Sequence, residues 1–316
     1  YPLPSIQDFT ANLAGCTIFS KIDLVKGYHQ VPMAEEDIPK TAICTPFGLF
    51  EYIFMPFGLK NAAQTFQRLM DKLFRHLPFV FVYLDDILIA SRTLAEHMLH
   101  LRQVFDILQT AGLQINPAKC TFATSSLSFL GHNVSAAGIS PMEKHVKALT
   151  EFPPPTDLKE LQRFLGLINF YRRFLPGIAG TLQPLTDLLR GNPKTLAWSE
   201  QAAVAFCAAK AALTAATSLV HPLPGAVISL ATDASDTHIG GVLQQLSSGS
   251  WRPLAFFSRK LSAPELKYST FDRELLAVFA AVRHFRFVLE GRHFRILTDH
   301  LPLPLAMRRV SPLWSA

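Results

Sequence analysis

Phe79-Val-Phe-Val-Tyr-Leu-Asp-Asp-Ile-Leu-Ile-Ala90 carries two adjacent carboxylates, Asp85 and Asp86, inside an otherwise apolar run. Six apolar or aromatic residues precede the pair and four follow it. Runs rich in Val, Ile and aromatics read as buried strands. The simplest reading is a hairpin with Asp-Asp at its tip. Asp-Gly or Asn-Gly would suit a tight turn better, because its central positions often need positive φ. A second carboxylate repels the first and calls for a reason, and a metal site supplies one. Within this stretch the turn and the metal site both stay open.

Working outward, the 316-residue chain is long enough for two or three domains, and with 49% apolar and 17% charged residues it can bury cores. Thirty basic against 24 acidic residues give a net charge of +6, which permits a polyanionic partner without diagnosing one. Cys16, Cys44, Cys120 and Cys207 never form a CxxC, so neither a zinc site nor a disulfide framework is expected, and a reducing compartment is. No apolar run has the length of a membrane span and no signal peptide opens the chain, so no membrane partner is expected. The chain starts at Tyr1 without Met and reads as a fragment.

Residues 1–60, punctuated by Pro and Gly, read as short strands and turns. Phe66, Leu69, Met70, Leu73 and Phe74 define one face of a helix over 61–76, with Gln67, Arg68, Asp71, Lys72 and Arg75 outside it. A second helix over 94–111 would bury Met98, Leu101, Phe105 and Leu108 and stop at Gly112. Strands crossed by helices without a regular βα rhythm indicate an α+β fold. After Ile139 a Pro153-Pro154-Pro155 spacer leads to Asp157, an N-cap with Glu160 three residues on. That helix turns Leu158, Leu161, Leu165 and Ile168 inward, and an Ala-rich helix follows over 199–216. A third region begins near Leu223 with strand AVISLATDAS, a β pair, a helix over 272–289 and strand FRILTDH.

Asp23, in FSKIDLVKGYHQ, ends another short β-like run, 85 − 23 = 62 residues before Asp85. That interval accommodates a strand, a helix and a return strand, which would set the two carboxylates on one sheet. Clustered carboxylates without thiol or imidazole suit Mg²⁺, and paired ions of that kind clamp the oxygens of a phosphoryl transfer. The ordered stretches FSKIDLVKGYHQ, MPFGLKNAAQTFQ, YLDD, GLQINPAKCTF, FLGHNVSAAGI, FLGLINFYRRF, TDAS, STFDRELLA and LTDH together resemble the pol polyprotein of gypsy-type LTR retrotransposons, from the reverse transcriptase palm into ribonuclease H.

That resemblance implies a right-hand reverse transcriptase fold: partial fingers and palm over 1–140, a helical thumb and connection over 141–222, and an incomplete ribonuclease H-like α/β domain over 223–316. It implies an RNA-directed DNA polymerase using RNA or DNA template, primer and dNTPs, with ribonuclease H attached. Asp23 and Asp85 would bind two Mg²⁺ ions (Mn²⁺ as a substitute), with Asp86 as the weaker third carboxylate. Tyr28 would lie under the incoming sugar and exclude a ribose 2′-hydroxyl; Phe57 and Gln64 would line the nucleotide and template, and Lys119 would approach the triphosphate. Gln67 would face template. Phe129, Leu130, Gly131 and His132 match the primer-grip hairpin, with core packing a rival role for Phe129 and Leu130. Lys159, Arg163, Arg172 and Arg173 would follow duplex phosphates, independently of sequence.

In the third region Asp233, Glu274 and Asp299 would bind metal, again two ions per site. No Asp or Glu follows Asp299, so the family's fourth acidic ligand is expected to be missing and ribonuclease H activity lost, with Leu301, Leu303, Leu305 and Trp314 left as exposed apolar surface. Lys21 is the first basic residue, so the basic residues of the family's fingers are also expected upstream. The resemblance further implies protease, integrase and Gag as partners and a cytoplasmic location within virus-like particles, with nuclear access of the element. The rival class is a catalytically inactive nucleic-acid-binding relic. Six intact carboxylates argue against it.

Overall fold

The computed structural model describes residues 1–4, 10, 12–191 and 193–308. They form two compact units, 1–137 and 138–316.

In the first unit, strand β1 (Ile18–Asp23) alternates its side chains across the sheet. Ser20 and Ile22 face the covering helices, and Lys21 and Asp23 face the other way. After a short 3₁₀ turn over Gly27–Gln30 and a longer one over Glu35–Thr41, strands β2 (Ile43–Thr45) and β3 (Gly48–Phe50) make a small hairpin. Residues 1–60 therefore hold more 3₁₀ helix than their Pro and Gly content indicates, because Pro39 sits inside a 3₁₀ turn instead of breaking it. Helix α1 (Ala62–Phe74), strands β4 (Val80–Tyr83) and β5 (Asp86–Ser91), helix α2 (Leu94–Thr110) and strand β6 (Thr121–Thr124) complete a four-stranded sheet of order β4-β5-β1-β6. Strands β7 (Ser126–Phe129) and β8 (His132–Ser135) form a further hairpin.

The core lies between this sheet and the two helices: Ile22, Ile87 and Ile89 meet Phe66, Met70 and Phe74 of α1 and Leu101, Val104 and Leu108 of α2. Each such side chain contributes about 1.5–3 kcal/mol by leaving water. Removing the wholly buried Phe66 ring would cost about 3–5 kcal/mol, since a cavity adds to the lost transfer energy. Two expected faces are corrected. Gln67 is fully buried, and on α2 it is His97 and Val104 that turn inward while Met98 is exposed.

The second unit opens with β9 (Gly138–Pro141) and four helices: α3 (Glu143–Thr150), α4 (Leu158–Phe170), α5 (Ile178–Asp187) and α6 (Glu200–Thr214). The expected cap of α4 is present. The Asp157 carboxylate accepts the Glu160 N–H at 2.8 Å, and Glu160 in turn accepts the Thr156 N–H at 2.8 Å. Leu161, Phe164, Leu165 and Ile168 make its buried stripe. Strands β10 (Ile228–Ala234), β11 (His238–Ser247), β12 (Ser250–Lys260) and β13 (Phe294–Leu297) form a sheet of order β12-β11-β10-β13. Its outer pair β10/β13 is parallel, and the other pairings are antiparallel. Helix α7 (Thr270–His284) stops at Phe285, and a single further turn, α8 (Arg286–Leu289), replaces the continuous helix expected to 289. In the last helix, α9 (Pro302–Arg308), Leu303 is buried and is not the exposed side chain expected, whereas Leu301 is exposed. Trp314 lies outside the described residues, as does the side chain of Leu305. No helix among the described residues is long and apolar enough to cross a membrane.

Candidate metal centres

Antiparallel pairing of β1 with β5 sets Asp23 directly opposite Asp86. Residues opposed in this way share a face, so the two carboxylates emerge on the side of the sheet away from the helices. Across β4 and β5, Tyr83 pairs with Asp86. The two-residue tip of the hairpin is therefore Leu84-Asp85, one position earlier than the Asp-Asp tip read from sequence. Leu84 sits at φ +53°, a region that costs a residue with a side chain about 1–2 kcal/mol. Gln67 holds it there. The Leu84 N–H donates to Gln67 Oε1 at 2.8 Å, and Gln67 Nε2 donates to the Val82 carbonyl at 3.1 Å and to Asp71 at 2.8 Å. Gln67 thus clamps the turn from beneath and cannot face template.

Behind Asp85 the chain comes unusually close. A Cβ built on Gly27 would lie 3.0 Å from Phe66 Cζ and 3.2 Å from Asp85 Cβ, so only glycine fits without displacement. The next residue, Tyr28, is half-buried, its ring edge-on to Phe66 at 5.2 Å and to Phe57 at 5.5 Å. Burial raises the Tyr28 phenol pKa, and the charge of Asp85 raises it further. Phe57 and Gln64 are both exposed.

Asp85 is exposed at the tip, yet the packed side chains behind its carboxyl strip water from it and raise its pKa; Asp86 and Asp23 push in the same direction. Two lysines answer this negative charge unequally. Lys21 Nζ lies 2.7 Å from Asp86 Oδ1, with both side chains 24% exposed. Lys119 Nζ stands 3.8 Å from Asp23 and is 67% exposed. The loop bearing Lys119 is fixed by the Asn116 N–H donating to the Asp23 carbonyl at 2.8 Å.

The remaining residues divide. Leu130 (φ +45°) and Gly131 (φ +79°) form the tip of the β7–β8 hairpin, and Phe129 and His132 are buried beside it, Phe129 edge-on to Phe81 at 6.0 Å. The His132 ring Nδ1 engages the Leu130 carbonyl at 2.8 Å. Only the turn is placed to meet a ligand; packing claims Phe129 and His132. Lys159 and Arg163 are exposed on α4. Arg172 is exposed too, but its Nη2 donates to the Ser258 carbonyl of β12 at 2.7 Å. Arg173 departs from a phosphate-facing role: its guanidinium is largely buried over the Phe174 ring, and burial lowers its pKa to about 10. Alternation and helical period cannot reveal such a buried arginine.

In the second unit, parallel pairing matches Ala231 with Leu297. Two residues further along each strand (231 + 2 and 297 + 2) Asp233 and Asp299 reach the same sheet edge. Glu274 of α7 completes the set, its Oε1 accepting the Ala234 N–H at 3.3 Å. One ligand oxygen from each of Asp233, Glu274 and Asp299 lies within 4.8 Å of the others. Among the described residues Asp23, Asp85 and Asp86 do not gather so tightly, Asp86 being held toward Lys21. Glu274 Oε2 is buried without a partner, and burial raises the carboxyl pKa, with Asp233 and Asp299 adding to it. An orphaned buried oxygen among repelling carboxylates fits a hard divalent cation.

Residues 1–134 match the family profile "Reverse transcriptase (RNA-dependent DNA polymerase)", and residues 198–296 match "RNase H-like domain found in reverse transcriptase". Over 305 residues the chain is 41% identical to the retrovirus-related Pol polyprotein from transposon 297 of Drosophila melanogaster, covering 96% of this chain and 28% of that protein. It is 40% identical to the Pol polyprotein from transposon opus of the same organism (97% and 32% covered) and 36% identical to the transposon Tf2-3 polyprotein of Schizosaccharomyces pombe (95% and 23% covered). The chain thus spans about a quarter to a third of the length of these relatives. Among solved structures, a foamy viral protease-reverse transcriptase in complex with double-stranded DNA superposes with TM-score 0.88 at 24% identity, over 99% of this chain and 56% of that one. Another, in complex with an RNA/DNA hybrid, gives 0.85 at 23%, over 96% and 42%, and both likenesses bear on the fold. The chain is a reverse transcriptase domain followed by an RNase H-like domain, as found in the Pol polyproteins of retrotransposons.

Proposed function

We propose that this chain copies RNA or DNA template into DNA as part of a gypsy-type LTR retrotransposon polyprotein, with Asp23 and Asp85 as the metal-binding carboxylates of the polymerase. The observation that carries this reading is the pairing of Asp23 opposite Asp86 on the sheet face turned away from α1 and α2, with Asp85 in the adjoining Leu84-Asp85 turn, where the charges of Asp86 and Asp23 act on it. Two Mg²⁺ ions bound there, or Mn²⁺ in their place, would supply charge neutralisation for transfer from a dNTP to a primer 3′-hydroxyl. The chain's own residues do the positioning. Gln67 fixes the height of Asp85, Gly27 admits it close to β1, and Tyr28 stands beside it where a ribose 2′-hydroxyl would clash. Lys119, exposed and loosely paired, is free to swing toward a triphosphate.

The second cluster, Asp233, Glu274 and Asp299, belongs to hydrolysis of RNA in RNA–DNA hybrids by the parent polyprotein. Residues 1–140, 141–222 and 223–316 act as palm with part of the fingers, thumb and connection, and ribonuclease H. The polyprotein works in the cytoplasm inside particles built with Gag, alongside protease and integrase. Primer extension on an RNA template is the test. Mg²⁺-dependent extension that Asp23→Asn and Asp85→Asn each reduce by at least about a hundredfold is the expected outcome, since such carboxylates act mainly in the transition state. Salt-sensitive primer–template binding without any extension would favour the inactive relic.

A further inference from the structure

We propose that Lys21 is a resident counter-cation that neutralises Asp86 and thereby reserves Asp23 and Asp85 as the carboxylates that hold divalent metal. The inference rests on the proposed reading of Asp23 and Asp85 as metal ligands.

Strand geometry places the three groups. Lys21 and Asp23 are two apart on β1 and share the face turned away from α1 and α2, and Asp86 lies directly across from Asp23. Lys21 itself is opposite Leu88, so its side chain reaches diagonally to meet Asp86 Oδ1 at 2.7 Å. A charged hydrogen bond between side chains each 24% exposed is screened far less than a surface pair. Lys119 offers the contrast: at 3.8 Å from Asp23 and 67% exposed, it is a loose contact that a metal can replace.

The charge count shows what Lys21 changes. Asp23, Asp85 and Asp86 sum to −3, and Lys21 reduces this to −2. The remaining two charges sit on the pair with no comparably buried lysine. Asp86 is also the first residue of β5 and the partner of both Tyr83 and Asp23. Holding it therefore ties the base of the Leu84-Asp85 turn to β1. Lys21 is a positioning residue; it orders the ligands without being one.

The test is Mn²⁺ binding, read by electron paramagnetic resonance of the free ion. It uses the full chain carrying Asp233→Asn and Asp299→Asn, so that the second cluster is silent. Lys21→Met adds one net negative charge within a few ångströms of the ion and should tighten binding by about tenfold. The neutral pair Lys21→Met with Asp86→Asn restores the count of −2 and should return affinity to within about twofold of the parent, a coupling that a double-mutant cycle isolates. Lys21→Arg, which keeps the charge, should bind like the parent. Circular dichroism and urea midpoints identify any variant that loses its fold, and the Arg variant keeps the test decisive if Lys21→Met does. Unchanged affinity in a folded Lys21→Met, weak binding by Lys21→Arg, or loss of binding in the neutral pair would each overturn the proposal. The last would make Asp86 itself a ligand. Failure of the underlying reading looks different: Asp23→Asn and Asp85→Asn would then leave Mn²⁺ affinity where it was.

Discussion

The Leu84 N–H donates to Oε1 of Gln67 at 2.8 Å, so a fully buried glutamine on α1 holds the left-handed residue of the hairpin that presents Asp85. Stability and catalysis are joined at this contact. Gln67→Met keeps the length of the side chain and removes its hydrogen bonds, leaving a strained turn with an unsatisfied N–H. The expected loss is about 1–3 kcal/mol, from the urea midpoint at unchanged slope. Primer extension should fall further than the lost stability accounts for, because Asp85 moves with the turn.

Gly27 makes a second prediction, about distance alone. A methyl group there meets Phe66 and Asp85 at 3.0 and 3.2 Å, so Gly27→Ala displaces the carboxylate by a few tenths of an ångström. Single-turnover extension should slow by about tenfold, since displacements near 1 Å cost about a hundredfold. Gly166→Ala on α4 is the control. A Cβ there meets nothing within 4 Å, and the helix should gain about 0.5–1 kcal/mol with activity unchanged.

Tyr28, between Phe57 and Phe66, is expected to act on sugar choice. Tyr28→Val should raise rNTP relative to dNTP incorporation by at least about tenfold while dNTP use changes little, because removing a clash helps only the substrate that clashed. Competition between the two nucleotides on one template reads the ratio. An unchanged ratio would assign Tyr28 to core packing.

His97 predicts how acid acts on the first unit. Its ring joins Ser20 Oγ at 2.6 Å and Ser91 Oγ at 2.7 Å inside the α2–sheet interface. Burial lowers its pKa, and the neighbouring His100, itself lowered by burial, pushes the same way. The unfolded chain therefore takes up protons first as pH falls below about 6.5, and the folded state does so only lower. Stability contributed by neutral His97 is complete above that value and is lost as pH falls toward the folded pKa. Hydrogen exchange of β1 and α2 amides should quicken from about pH 7 to about pH 5 after correction for intrinsic rates. In His97→Gln the dependence should be shallower and the protection at neutral pH lower. A slope equal to that of the parent would remove His97 from the account.

How far the sequence discloses this arrangement depends on whether a feature is local. The stripe Phe66, Met70, Phe74 and the Asp157–Glu160 cap follow from helical period and capping chemistry, and both stand where expected. The turn was displaced by one residue because register belongs to the pair of strands: Tyr83 opposite Asp86 is decided jointly with β1, which neither strand encodes alone. Gln67 and Arg173 read as outward-facing residues, and nothing in the sequence marks His97, for a related reason. A polar side chain goes inside when a distant backbone or hydroxyl group receives it, as Val82, Leu84, Ser20 and Ser91 do, or, for Arg173, when an aromatic ring covers it. Lys21 and Gly27 lay within a quoted motif, but their roles emerge only once Asp86 and Asp85 are folded against them. The carboxylates themselves were legible because charge in an apolar run demands a cause.

The most direct measurement of the central claim is anomalous scattering from a crystal of this chain soaked in Mn²⁺. Mn²⁺ is expected as anomalous density between Asp23 and Asp85, with Asp86 still turned to Lys21, and as separate density among Asp233, Glu274 and Asp299. Well-ordered carboxylates with no anomalous peak between Asp23 and Asp85, at an Mn²⁺ concentration that fills the second cluster, would contradict it.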